Sequence, residues 1–307
     1  MTIKTRQTKY SNIQPKERLP LWIRPSLGRV SQIEKVQQIV KNNNLNTICE
    51  EARCPNRGEC YASGTATFLL GGSICTRSCA FCQVNKGQSP NKINPLDAER
   101  VAQGVSQLDL KYVVLTSVAR DDLPDHGASL FTMTIEAIRR LQPIIDIEVL
   151  TPDFWGGYKS HDDLKRSQRD RLKLVLSAKP ICFNHNLETV EHLQREVRQG
   201  ATYSRSLGLL QAAREIAPEI PTKSGLMLGL GESYEDIIRS LKDLRDVDCQ
   251  CLTLGQYLRP SLAHIPVQHY WTPNNFKELE KEARLMGFSK VSSGPLVRSS
   301  YHASNDA

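Results

Sequence analysis

The sequence predicts a partial (β/α)6 barrel of TIM type, with an N-terminal extension and a C-terminal tail. Two observations predict it. Six short apolar runs recur from about Thr65 onward, and helical patterns lie between them. Such strand–helix alternation gives a parallel sheet with right-handed crossovers. Six units fall short of the eight that close a barrel. An open, curved sheet is therefore expected, with a flat doubly wound sheet as the alternative.

The apolar runs are TFLLGG (67–72), YVVLTSV (112–118), IDIEVLTP (145–152), PICFNHN (180–186), KSGLMLGLGE (223–232) and CLTLGQYL (251–258). Each reads as a strand buried on both faces. Val101, Val105 and Leu108 share one helical face, as do Leu130, Ile135, Ile138 and Leu141. Val190, Leu193 and Val197 repeat the pattern, followed by Ile237, Leu241 and Leu244. Ser233 with Asp236 reads as a capping box opening the last of these helices. The polar stretch WGGYKSHDDLKRSQRDR (155–171) interrupts the rhythm and reads as a surface insertion leading into a helix. The expected division is an extension over 1–64, a barrel over 65–287 and a tail over 288–307.

Composition narrows the class. No apolar run approaches the roughly 20 residues needed to span a bilayer. The N-terminal stretch MTIKTRQTKYSNIQPKERLP is polar and basic and lacks the apolar core of a secretory signal. It reads as a flexible arm of a cytoplasmic protein. The formal charge of +7 is a weak signal, because no dense basic helix is interleaved with aromatics; a solvated basic surface explains it equally well. The nine cysteines are uneven, six of them lying between Cys49 and Cys82. An odd count without an export signal fits a disulfide framework poorly and favours metal binding.

The densest motif is Cys75-Thr-Arg-Ser-Cys79-Ala-Phe-Cys82, directly after the first expected strand. Three thiolates on one loop can hold three irons of a [4Fe–4S] cubane and leave the fourth open to a small chelating molecule. A zinc knuckle is the alternative. Zinc would want a fourth Cys or His nearby, and none follows Cys82 at suitable spacing. A second set, Cys49-Glu-Glu-Ala-Arg-Cys54-Pro-Asn-Arg-Gly-Glu-Cys60, again supplies three thiols and no evident fourth ligand.

The first motif resembles the radical S-adenosylmethionine (SAM) superfamily. The wider set of words resembles its lipoyl synthase family: CEEARCPNRGEC, GTATFLLGG, CTRSCAFCQV, TSVARDDLPDHGA, FNHNLETV, LGQYLRP, YWTP and GPLVRSSYHA, running from about Leu19 to Ala303. The resemblance implies two [4Fe–4S] clusters. One sits on Cys75, Cys79 and Cys82 and serves reductive SAM cleavage. The auxiliary one sits on Cys49, Cys54 and Cys60, with a serine of Arg298-Ser299-Ser300-Tyr301 as fourth ligand. Ser300 is the expected serine and Ser299 the runner-up. The implied reaction inserts two sulfur atoms at C6 and C8 of a protein-bound octanoyl-lysine, with the auxiliary cluster as sulfur donor.

The resemblance further implies an octanoylated lipoyl carrier domain or H-protein as partner, a low-potential electron donor such as ferredoxin or flavodoxin, and no nucleic acid or membrane. Within that frame, SAM-binding candidates lie at strand ends: Thr116 and Ser117, Asn184 and Asn186, Glu188, and Arg205. Arginine suits a carboxylate bidentately; Asn and Glu suit ribose hydroxyls and an amino group. Arg120, Asp121 and Asp122 are candidates for binding SAM or closing the site. His185 reads as a hydrogen-bonded structural histidine. Three features depart from the family: the length of 155–171, Gly71-Gly72-Ser73 where many members have Gly-Asp, and Cys182, Cys249 and Cys251, which match no ligand and read as buried thiols. Rival readings are a sulfur-inserting enzyme like biotin synthase or a tRNA methylthiotransferase, and a non-enzymatic iron–sulfur carrier, for which so large a barrel is excessive.

Overall fold

The computed structural model describes residues 19–24, 30–63, 65–88, 93–156 and 160–300. Most of the basic N-terminal arm, residues 157–159 of the polar stretch, and Tyr301 onward lie outside them.

The N-terminal extension holds α1 (Val30–Asn42), α2 (Ile48–Glu51) and α3 (Arg57–Ala62), followed by β1 (Thr67–Leu70). A two-stranded ribbon, β2 (Ile74–Cys75) with β3 (Asn85–Lys86), frames the cysteine loop. The repeating part runs α4 (Asp97–Gln107), β4 (Tyr112–Ser117), α5 (Ala128–Leu141), β5 (Asp146–Leu150), α6 (His161–Ser177) and β6 (Cys182–Asn184). A 3-10 turn (Glu191–Leu193), α7 (Gln194–Val197), α8 (Tyr203–Ile216), β7 (Thr222–Leu228), α9 (Tyr234–Asp246), β8 (Cys251–Gln256), α10 (Pro273–Leu285) and β9 (Lys290–Gly294) complete it.

The main sheet has seven strands in the order β1-β4-β5-β6-β7-β8-β9, every pair parallel. The six expected strands are present, and a seventh, β9, lies inside the segment expected to be tail. Its sequence, KVSSG, is too polar to read as a buried strand. It nevertheless pairs with β8 over five positions, from Cys251↔Lys290 to Gly255↔Gly294. Among the described residues, β9 does not pair back to β1. The extension covers the free edge of β1 instead: Thr47 bridges Phe68, and Leu69 N donates to Asn46 O at 2.8 Å. Covering an edge in this way removes a template for unwanted pairing.

The helices form where the sequence marks them. Ser233 and Asp236 make the expected capping box of α9, and its Ile237, Leu241 and Leu244 are fully buried, each stabilising the fold by about 2 kcal/mol. Thr272 and Asn275 cap α10, with Pro273 in its first turn. The helix expected from the polar stretch is the crossover helix α6, which opens within that stretch and is capped by Ser160. One helix differs from expectation. Val190, Leu193 and Val197 fall on two short turns, and the longer crossover α8 follows, capped by Thr202. Gly200, with φ of 91°, ends the first pattern where an α-helix cannot continue. Among the described residues no helix is long and apolar enough to cross a membrane.

Candidate functional site

The Cys75 set follows the C-terminal end of β1, and the Cys49 set lies in the extension that covers the edge of that strand. Gly71 and Gly72 turn the chain out of β1 into the cysteine loop with φ of 82° and 92°, values that side-chain-bearing residues avoid. The loop is then pinned from several directions. Thr76 N and Thr76 Oγ1 each donate to Ala119 O at 3.0 Å. Ala80 N donates to Val197 O at 2.9 Å, and Ile265 N to Ala80 O at 3.3 Å. His264 Nε2 lies 3.1 Å from Cys82 O, and its Nδ1 2.9 Å from Ser261 Oγ. A carbonyl can only accept, so His264 donates to Cys82 O and accepts from Ser261.

Arg77, inside the loop, is nearly buried. Its Nη2 is 2.6 Å from Asp153 Oδ1 and 2.8 Å from Asp121 Oδ1. Asp153 is fully buried and also faces Arg205 Nη1 at 3.2 Å. Burial works against its charge, yet Arg77 foremost and Arg205 hold its carboxyl below the usual range.

Cys75, Cys79 and Cys82 line a cavity of about 510 Å³ at the mouth of the sheet. Cys49, Cys54 and Cys60 line a second cavity of about 260 Å³ together with Arg298 and Ser300. The two share a wall: Ile48, Cys54, Arg298 and Ser300 line both. The tail reaches this wall because Asn56 Nδ2 donates to Leu296 O at 2.6 Å and Val297 N to Gly294 O at 3.0 Å.

The donor chemistry fits a soft cationic group. All nine cysteines are free thiols. Burial pushes Cys49 up to about 11 and Cys60 and Cys82 up to about 12, and raises Cys79. A metal that replaces these protons supplies the positive charge that lets the buried sulfurs bind as thiolates. Among the described residues no three Cys, His, Asp or Glu side chains close around a point suited to one metal ion; each thiol set stands round a cavity instead. The larger cavity also meets buried polar atoms that have no hydrogen-bond partner among the described residues: Gln83 Oε1, Thr151 Oγ1 and Asn186 Oδ1. Orphaned atoms of this kind mark where a polar ligand completes a site.

The expected SAM-binding residues divide. Thr116, Ser117, Asn186 and Glu188 line the larger cavity. Thr116 Oγ1 already donates to Leu150 O at 2.9 Å. Asn184 lies beneath, fully buried, donating to Glu148 Oε1 at 2.9 Å. Arg205 faces a neighbouring groove, held by Asp153 and stacked 4.6 Å over the Trp155 ring. Arg120 makes a two-point pair with Asp122 and donates to Gly71 O; Asp121 serves Arg77. His185 is hydrogen-bonded on both ring nitrogens, to Thr151 O at 2.8 Å and Ser206 Oγ at 3.0 Å. Cys182, Cys249 and Cys251 are buried.

Arg198 lines the cavity and was not among the expected residues. It is buried, with Nη1 donating to Ser206 Oγ at 2.9 Å, and its charge faces Glu188 and Cys79. At the end of a helical pattern it reads as a partner of the helix dipole, which hides its inward direction.

Comparison with known proteins fits this geometry. Residues 69–244 match the model of the radical SAM superfamily. The chain is 68% identical over 301 residues to lipoyl synthase 2 of Prochlorococcus marinus, covering 98% of each chain. It is 56% identical to lipoyl synthase 2 of Nostoc sp., covering 94% of this chain and 95% of that one. Against lipoyl synthase of Hydrogenovibrio crunogenus it is 47% identical, covering 94% and 89%. Among solved structures, methylornithine synthase shares a TM-score of 0.51 at 14% identity, covering 90% of this chain and 88% of that one. SuiB of Streptococcus suis bound to its precursor peptide gives 0.53 at 14%, covering 85% and 52%. Those two likenesses bear on the fold alone.

Proposed function

The chain belongs to the lipoyl synthase family of radical SAM enzymes, and from that premise we propose which of its residues carry the reaction. It is a SAM-dependent sulfurtransferase that uses [4Fe–4S] clusters. The observation that carries the assignment is the shared wall, where Cys54, Arg298 and Ser300 face both thiol-lined cavities. A substrate chain reaching one cavity is then within reach of the other.

Cys75, Cys79 and Cys82 would hold one cluster, and Cys49, Cys54, Cys60 and Ser300 the other. When bound, the clusters supply the electron that cleaves SAM to a hydrogen-abstracting 5′-deoxyadenosyl radical, and the sulfur inserted at C6 and C8 of an octanoyl-lysine. The protein's part is binding, orientation and exclusion of water. Arg198 and Glu188 place opposite charges at the larger cavity and suit the carboxylate and amino group of SAM. Asn186, Thr151 and Gln83 offer unpartnered polar atoms for its hydroxyls. Ile48, Phe81, Leu150, Met227, Tyr257 and Leu258 give the same cavity an apolar lining, which suits an octanoyl chain and keeps water from a reactive radical. Arg205 acts at one remove, by fixing Asp153 and through it Arg77. The partners in this reading are an octanoylated lipoyl domain or H-protein and a low-potential ferredoxin or flavodoxin, in the cytoplasm.

The test separates the two sets. Replacing Cys75, Cys79 and Cys82 by Ala should leave about four of about eight irons and abolish 5′-deoxyadenosine formation. Replacing Cys49, Cys54 and Cys60 should leave SAM cleavage intact while no sulfur reaches an octanoylated carrier peptide. Sulfur in the product of the second variant would overturn the assignment.

A further inference from the structure

One side chain bridges the larger cavity and the tail. Asn186 lies two residues beyond the end of β6 and is 7% exposed. Its carboxamide has two N–H groups, and both are in use. Nδ2 donates to Glu188 Oε1 at 3.1 Å and to Ser299 Oγ at 2.6 Å. These partners fix which way the amide points, since a turned amide would set Oδ1 against the Glu188 carboxylate with no hydrogen between them. Oδ1 is left buried and without a partner among the described residues, on a side chain that lines the larger cavity. Space for the arrangement comes from Gly225, where a Cβ would stand 3.0 Å from Asn186 Oδ1 and 3.3 Å from Ser299 Oγ. The backbone of Glu188 cannot drift: Glu188 N donates to Gly225 O at 2.9 Å and Met227 N to Glu188 O at 2.8 Å.

We infer that Asn186 couples occupancy of the SAM site to the seating of the C-terminal tail. A ligand hydroxyl or ammonium that donates to the free Oδ1 completes the carboxamide. Accepting a bond at the oxygen polarises the amide and strengthens its N–H donors. The grip on Ser299 tightens, and the neighbouring Ser300 is held at the smaller cavity while SAM is present. When the site empties, the grip slackens. The device places the tail under control of the co-substrate, so that the wall between the cavities is firm when a radical can be made. The inference rests on the reading of Glu188 and Asn186 as SAM contacts and adds to it a consequence for the tail. Coupling of this kind is reciprocal: the tail must improve ligand affinity by the factor by which the ligand slows tail opening.

The test uses the holoenzyme with both clusters and S-adenosylhomocysteine as probe. Hydrogen exchange is followed at the backbone amides of 296–300, and probe affinity is measured by calorimetry. In the wild type, saturating probe should slow exchange there by about fivefold or more. In Ser299→Ala the probe should bind more weakly by a similar factor, and the tail amides should no longer respond to it. Asn186→Asp, which has no N–H to give, should behave likewise. A wild-type tail indifferent to saturating probe would overturn the coupling, as would a Ser299→Ala tail that responds like the wild type. Glu188→Gln tests the underlying reading separately: unchanged probe affinity in that variant would remove Glu188 from the SAM site without touching the tail result.

Discussion

A methyl group on Gly255 would collide with the carbonyl oxygen of Val297 and stand 3.2 Å from Nη1 of Arg298. The glycine is required for space, since its backbone lies outside the left-handed region. Gly255 is a buried β8 residue paired with Met227 and Gly294, so the strand cannot yield easily. The tail must yield instead, although Gln256 N donates to Pro295 O at 3.3 Å beside it. Gly255→Ala should therefore unseat residues 297–300, at a cost of about 1–3 kcal/mol. The variant should keep the iron of the Cys75 set and lose that of the Cys49 set, as read by iron content after chelation. Full retention of both would show that the tail has another route to the shared wall.

The ion pair of Arg77 with Asp153 ties the cysteine loop to the end of β5. It is nearly dry, and Asp153 has no exposure at all. Removing Asp153 leaves Arg77 only the more exposed Asp121 and takes away the carboxylate that Arg205 faces, which costs about 3 kcal/mol. Asp153→Asn should lower stability by about that amount in urea unfolding of the cluster-free chain and slow cluster assembly at Cys75, Cys79 and Cys82. Glu215→Gln, which breaks the exposed pair with Arg169, should cost about 0.5 kcal/mol or less. Equal losses in the two variants would deny the buried pair its special place.

Most strands were legible because a strand buried on both faces is written as a continuous apolar run. β9 was not, because its pairing with β8 compensates a polar sequence and no local pattern announces it. Several words that carry the family resemblance prove to be architecture. Gln256 Nε2 donates to Leu228 O at 2.9 Å and His269 O at 3.0 Å, with Tyr257 O near it at 3.2 Å, while its Oε1 accepts from Trp271 N. Trp271 Nε1 in turn donates to Glu232 Oε1 at 2.9 Å. LGQYLRP and YWTP are thus parts of one buried clasp behind the mouth of the sheet. The cysteines could be read from spacing, since thiols on one short loop converge without tertiary help. Arg198 and the shared wall could not. They depend on where a turn points and on two glycines whose only distinction is what packs against them.

His185 gives the fold a titration of its own. Burial first, then the charge of Arg198, lowers its pKa to about 4. It is therefore neutral in the folded chain, donating from Nδ1 to Thr151 O and accepting at Nε2 from Ser206. Unfolded, it titrates near 6.5. Between those values the unfolded chain binds the extra proton, so stability rises with pH. The contribution is fully present above about 6.5 and is lost as pH falls towards about 4, by about 3 kcal/mol in all. The difference between wild type and His185→Gln in urea unfolding, followed from pH 7 to 4, isolates it. A difference that stays flat over that window would mean that His185 titrates normally.

Ser300 and Ser299 are adjacent but face different neighbours. Ser299 accepts from Asn186 at 2.6 Å, whereas Ser300 lines the smaller cavity with Cys49, Cys54 and Cys60. The geometry thus favours Ser300 as the fourth donor. Its hydroxyl is a harder ligand than a thiolate and the easier of the two to displace from soft iron. Ser300→Ala should speed iron loss from the Cys49 set to a chelator by about tenfold, while Ser299→Ala, without SAM or its analogues present, should lose iron near the wild-type rate. Ser300→Cys should retain iron better than the wild type and form lipoyl product more slowly, because a thiolate lets go less readily. If Ser299→Ala alone lost iron quickly, the neighbouring serine would take the role. If both Ala variants kept iron as the wild type does, the tail would supply no ligand, and its place at the shared wall would have to be explained by substrate binding instead.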